Sequence, residues 1–277
     1  MNVVLAVAIT AVAVAIAIGV LLLVRRRAPD GGYFTSGDRA AGMFGVLASG
    51  FAILLGFVVF LAFESFDQSR SGAETEATTV AQQFETAQFL PAAVRGELSG
   101  ELICYGRSVV AQEWPAMERG QSGGLINPWG LALFTTLQRA DPQTPAEQAA
   151  FGKWFDQTSD RESARIDRVH GASGVMPRAV WLALFFMAAV IFVFLMFFAD
   201  SGEARLVQAV QVGSVVAVIA ASLFVIRYLS HPYQTGGGGL KPTAMQRTLA
   251  TLEEASKALP GVAVSPPCDA TGKARAA

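Results

Sequence analysis

The sequence predicts an all-α integral membrane protein with four transmembrane helices and a helical bundle domain inserted between the second and third. Three observations predict it. Residues 1–24, 40–63, 179–199 and 206–226 are long apolar windows without a single charge. All 43 Asp, Glu, Lys and Arg residues fall in the remaining 187, a density ordinary for a folded region in water although the whole chain is only 16% charged. Between the second and third windows, apolar residues recur at helical rather than alternating spacing. With 52% hydrophobic residues, the 277-residue chain is a poor match for a wholly cytosolic enzyme, a disordered tail protein or a disulfide scaffold.

Each window is long enough as a helix to span a hydrocarbon core about 30 Å thick, which needs roughly 20 residues. The charge-free run 120–138 is excluded, because Gly120, Gly123, Gly124, Asn127, Pro128 and Gly130 would break its backbone in lipid. The first window lacks a charged leader, and Arg25, Arg26 and Arg27 follow it, so it reads as a retained anchor. Basic residues near short loops favour the cytoplasm, which places Arg25–Arg27 and Arg39 inside. The amino terminus, central domain and carboxyl terminus then share the extracytoplasmic side. Arg161, Arg165, Arg168 and Arg178 pull the other way, but long loops count for little in this rule.

Four segments follow: a first transmembrane hairpin (1–63), an extramembrane bundle continuous with the second crossing (64–178), a second hairpin (179–228), and a tail with one amphipathic helix and a disordered end (229–277). The bundle carries 10 basic and 15 acidic residues, so it suits neither nucleic acid nor an anionic lipid surface. Ala73, Ala77, Val80, Phe84 and Ala87 carry the second helix out into water until Pro91. Val94, Leu98, Leu102, Tyr105 and Val109 mark the next helix, expected to stop near Trp114-Pro115. Asn127-Pro128 opens a short helix with Trp129, Leu133, Phe134 and Leu137. Thr144-Pro145-Ala146-Glu147 is a capping box that leads a helix with Phe151, Phe155, Ile166 and Val169 on its apolar face, ending at Gly171. In the tail, Met245, Leu249, Leu252 and Leu259 form the apolar side of a helix that lies on the bundle or the membrane surface, and disorder is expected after Val264.

No catalytic or nucleotide-binding motif is present, and His170 and His231 lie in unrelated segments, so no enzyme, cofactor or metal site is expected. Cys104 and Cys268 could pair on an oxidising side, but the apolar surroundings of Cys104 favour a buried free thiol. In the second crossing Ala41, Gly45, Ser49, Ala52 and Gly56 fall within about 40° of one line. Such a face either packs helix against helix within the subunit or lines a path between copies of the chain. Ile53 and Phe60 form an adjoining face with Phe57 beyond it, where a phenylalanine could gate by dewetting or simply meet lipid.

Three acids stand among apolar neighbours: Glu162 in the face of Phe151, Phe155, Ile166 and Val169; Glu101 in that of Val94, Leu98 and Tyr105; and Glu76 beside Ala73, Val80 and Phe84. Each needs a partner when taken out of water. Arg161, Arg165 and Arg168 share one line and can reach a neighbouring helix, at Glu76 or along Asp67, Glu74 and Glu85. Structural ion pairing is the ordinary reading, and a polar conduit or cation site the other.

The order of Glu76-Ala77, Tyr105, Glu113-Trp114-Pro115, Arg161 with Arg165, and His231-Pro232-Tyr233 followed by glycine resembles the bestrophin-like family of bacteria and plants over residues 5–259. The resemblance implies paired membrane hairpins and, by analogy with true bestrophins, a pentamer around an ion path lined by the second crossing. Glu76, Tyr105, Glu113, Trp114 and Arg165 are the family-like positions. The chain departs from true bestrophins in lacking their pore-neck and calcium-clasp patterns, and their helical domain and termini are cytoplasmic, opposite to the side its own charges predict. The expected function is an oligomeric ion channel in the bilayer; the alternative is a membrane-anchored scaffold or sensor whose acidic bundle binds a protein.

Overall fold

The computed structural model describes residues 3–121, 126–174, 176–258 and 264–275. The helices are α1 (Val3–Arg25), α2 (Gly37–Ala87), α3 (Ala92–Ser108), α4 (Trp114–Glu118), α5 (Pro128–Leu137), α6 (Pro145–His170), α7 (Arg178–Met196), α8 (Arg205–Leu229) and α9 (Thr243–Ala258), with a π-turn at Val109–Glu113 between α3 and α4. Extended pairing among the described residues is limited to one bridge between Cys268 and Ala274. The chain forms two compact units, Met1–Ser65 with Val175–Ser230, and Phe66–Gly174 with His231–Ala277.

In the first unit, α1, the first half of α2, α7 and α8 are long and apolar enough to cross a membrane. Phe51 and Val58 of α2 bury themselves against Leu184, Ile191 and Ile226, and Leu21 of α1 packs with Met196 and Val212. Phe44 stacks on Phe194 at 5.8 Å. The remaining surfaces of α1, α7 and α8 expose large apolar side chains such as Val4, Leu182, Phe186 and Val218, as lipid-facing helices do.

The second unit is built around α3, whose residues from Leu98 to Gly106 are all buried, so this helix is covered on every side rather than on one stripe. Val80 and Phe84 of α2, Leu133 of α5, Trp154 of α6 and Met245 and Leu252 of α9 close over it. Helix α9 therefore packs on the bundle, and Leu259 lies outside the described residues. The acid-capped start of α6 forms as its sequence dictates: Thr144 Oγ1 accepts from the Glu147 amide while Glu147 accepts from the Thr144 amide. Those backbone donors, Thr144 first and Gln143 next, hold the Glu147 carboxyl below its ordinary value. Asn127 caps α5 by accepting from the Trp129 amide at 3.1 Å, and α5 is only 10 residues long, although Gly123 and Gly124 lie outside the described residues.

The structure corrects four expectations. Trp114-Pro115 does not end a helix. The π-turn bonds the Trp114 amide to the Val109 carbonyl, so α4 starts with Pro115 in its first turn, where a missing N–H costs nothing. The buried stripe of α6 is Ala150, Trp154, Gln157, Arg161, Ala164 and Arg168, not the apolar line; Phe155 and Ile166 are exposed. Cys104 and Cys268 are joined in a disulfide, both fully buried, rather than remaining free thiols. The segment after Val264 is packed, not loose: Trp129 Nε1 donates to the Gly272 carbonyl at 2.7 Å and Gln112 Nε2 to that of Thr271 at 2.9 Å. Gly272 has φ +77° and lies so close to α3 that a Cβ there would sit 2.7 Å from Ser108 Cα, so both the turn and the approach require glycine.

Candidate functional site

Two features concentrate the unusual residues. The first is a buried charge cluster in the second unit. Helices α2 and α6 run side by side with Gly72 at their crossing; a Cβ on Gly72 would stand 2.6 Å from the Arg168 backbone nitrogen. That approach brings two pairs together in one antiparallel register, Glu76 with Arg168 and Gln83 with Arg161, each pair seven residues from the other along its helix. Both Glu76 oxygens accept from Arg168, through Nη2 at 3.0 Å and through Nε, and Oε1 also accepts from the Tyr105 hydroxyl at 2.6 Å.

The π-turn supplies the second acid. Glu113 Oε2 accepts from Arg168 Nη2 at 2.8 Å and pairs with Arg165 at 3.4 Å, while its Oε1 accepts from Asn127 Nδ2 at 2.8 Å. Arg161 donates to Gln83 Oε1 at 2.7 Å and lies 4.9 Å over the Tyr105 ring. Tyr233 donates to the Arg168 carbonyl and meets Trp114 edge to face at 5.2 Å. Glu76 and Arg168 are 0% exposed and Arg161 is 1%, so two carboxylates and three guanidiniums share a volume from which water is largely excluded.

The electrostatics follow from that burial. Desolvation and then the neighbouring Glu76 carboxylate push the Tyr105 hydroxyl well above its ordinary value, keeping it a donor. Burial alone would lower the Arg168 guanidinium, but Glu76 and Glu113 outweigh it and raise it. Burial likewise raises Tyr233. The arrangement is a clamp: bidentate, charge-assisted bonds fix α2, α3, α6 and the π-turn relative to one another.

The other acids stand elsewhere. Glu162 is not in the core; its side chain is 45% exposed and pairs with adjacent Arg161, because the buried face of α6 is the polar one. Glu74 pairs with Arg70 on the same helix. Glu101 is 5% exposed but meets α5 instead, where Thr136 donates to its Oε1 at 2.9 Å. Burial, opposed by the Thr136 bond and reinforced by Glu97, pushes the Glu101 carboxyl up to about 7. Sequence reasoning missed Gln83 and Asn127 as partners and gave Tyr233 no role. The matching seven-residue spacings, 76 to 83 and 161 to 168, were the available signal for Gln83.

The second feature is the small-residue line of α2. Ala41, Gly45, Ser49, Ala52 and Gly56 are exposed, and an added Cβ at Gly45 or Gly56 would meet nothing within 4 Å. Ile53, Phe57 and Phe60 beside them are 69%, 67% and 60% exposed. Within the chain, α2 packs through Phe44, Phe51, Leu54, Leu55 and Val58 instead.

Comparison with known proteins agrees with this architecture. Variants of a bacterial bestrophin homologue from Klebsiella pneumoniae superpose with TM-scores of 0.64 and 0.65 at 13% and 11% identity, covering 88% and 90% of this chain and 98% of theirs. A crystal structure described only as a membrane protein superposes with a TM-score of 0.63 at 13% identity, covering 91% of this chain and 99% of its own. No curated protein of known function matches. A model of the bestrophin-like domain matches residues 11–245, and this membrane protein belongs to the bestrophin-like family.

Proposed function

We propose that the protein is a homo-oligomeric ion channel in which copies of α2 surround the axis. The observation that carries this reading is the exposure of Ala41, Gly45, Ser49, Ala52 and Gly56 on a single chain. Small exposed residues let helices from neighbouring copies approach closely, and on α2 they run along one line opposite the buried Phe51 and Val58. Copies brought together on this line approach closely and leave a narrow path, with Phe60 next to it, and Phe57 farther round the helix, as a constriction that gates by dewetting. Four helices with one such face cannot enclose a hydrated path alone, so closed symmetry is part of the function. Likeness of fold to a bestrophin homologue supports the same reading.

The same proposal inserts the bundle in the chain between the second and third of four crossings and sets the bundle and both termini outside the cytoplasm. Arg25, Arg26, Arg27 and Arg39 support that side, and a buried Cys104–Cys268 disulfide belongs to an oxidising compartment. The test is cysteine cross-linking in native membranes. Both native cysteines are engaged, so Ala52→Cys introduces a unique thiol. The axis predicts a reducible dimer from Ala52→Cys and none from Leu182→Cys on α7; equal cross-linking at both, or none, removes α2 from the axis.

The alternative, a membrane-anchored scaffold, draws support from exposed Phe89, Leu131, Phe134 and Phe155 on the second unit. It predicts that leucines at Gly45, Ser49 and Gly56 leave partner capture unchanged.

A further inference from the structure

The loops α1–α2 and α7–α8 meet at the end of the first unit remote from Ser65 and Ser230. Asp200 Oδ1 accepts from the Gly31 amide at 2.9 Å, and Arg25 donates to the carbonyls of Ser201, at 2.8 Å, and Glu203. These contacts leave a cleft of about 300 Å³ lined by Leu22, Arg25, Arg26, Ser201 and Arg205. Among the described residues, none of the three arginines is in an ion pair. The acids of these loops are turned to other work: Asp30 accepts from Ser201 Oγ, Asp200 from two backbone amides, and Glu203 from Gln208 Nε2 at 3.0 Å. Arg25 is held by the two loop carbonyls, and Arg26 and Arg205 are exposed at the cleft.

We propose that this cleft binds the phosphate of an anionic phospholipid headgroup. Three guanidiniums converge at the mouth of a helix group whose adjoining surface, Leu22 included, is apolar, so a phosphate held there has its acyl chains already against the helices. Arg25 fixes the loops and adds its charge, while Arg26 and Arg205 are exposed and free to contact the phosphate. On the positive-inside argument this is the cytoplasmic leaflet, but the site itself depends on neither sidedness nor channel activity.

The test is native mass spectrometry of the full chain released from nanodiscs of equimolar phosphatidylglycerol and phosphatidylcholine. The wild type is expected to retain phosphatidylglycerol preferentially. Arg26→Gln with Arg205→Gln, at exposed positions that leave the Arg25 bonds intact, should reduce that preference roughly tenfold or more, since each arginine near an anionic surface contributes about fivefold. Equal retention of the two lipids, or an undiminished preference in the double variant, overturns the proposal. Inorganic phosphate at millimolar concentration should not displace the lipid; full displacement assigns the cleft to a soluble phosphate and overturns the lipid assignment.

Discussion

Replacing Arg168 by methionine removes the hub of the buried cluster while keeping its length and most of its packing. Glu113 then retains Arg165 at 3.4 Å and Asn127 at 2.8 Å, whereas Glu76, 0% exposed, keeps only the Tyr105 hydroxyl. The cost falls mainly on Glu76, which is left as a buried carboxylate without a cation. Removing one partner of such a pair costs about 3–5 kcal/mol, a large share of the roughly 5–15 kcal/mol that holds a typical domain. For a unit of this size that lowers the melting temperature by about 6–20 °C. Glu76→Gln should cost less, about 1–3 kcal/mol, since the amide oxygen still accepts and Arg168 still has Glu113. Combining Arg168→Met with Glu76→Met should cost clearly less than the sum of the two single changes. Detergent-solubilised protein followed by tryptophan fluorescence suits the measurement, because Trp114, Trp129 and Trp154 are buried in this unit. An Arg168→Met effect under 1 kcal/mol, or strict additivity in the double variant, would refute the clamp.

Three further outcomes are expected. The Glu101 carboxyl, raised to about 7 from 4.5, binds more protons in the folded state, so its contribution is present below pH 4.5 and is lost as pH rises toward and past 7. Glu101→Gln should flatten the melting profile over that window and stabilise the protein at pH 8; an unchanged profile contradicts the burial argument. Gly72→Ala should destabilise by more than about 2 kcal/mol through collision with the α6 backbone, while Gly45→Ala leaves single-chain stability unaltered, both read by thermal melting. Cys104→Ser should cost about 2–5 kcal/mol and expose the tail to limited proteolysis, and unreduced wild type should take up no maleimide even when denatured; labelling without reductant removes the disulfide.

What was legible in the sequence follows the range of the forces involved. The apolar helices announce themselves because lipid forbids charge along their whole length, and the caps at Asn127 and Thr144 because every atom they need lies within four residues. The buried face of α6 was misread for a physical reason. Its stripe contains Gln157, Arg161 and Arg168, acceptable inside only because α2 and the π-turn bring Gln83, Glu76 and Glu113 to meet them, so hydrophobic periodicity pointed to Phe155 and Ile166 instead. Charge alone did suggest that Arg168 could reach Glu76. The pairing of Cys104 with Cys268 spans 164 residues and depends on a tail whose polar sequence gives no hint of the turn that seats Gly272 against α3. For α2, the small-residue line was visible by counting, but only the packing of Phe44, Phe51 and Val58 shows which side the chain leaves open.

The most direct test of the channel is ion flux from liposomes reconstituted with wild-type protein and with the variant carrying Gly45→Leu, Ser49→Leu and Gly56→Leu. Wild type should release trapped ions at a rate proportional to protein, and the variant, folded and inserted to the same extent, should fall to the level of empty liposomes. Flux that survives the three leucines, or a wild type no faster than lipid alone, contradicts a path lined by α2.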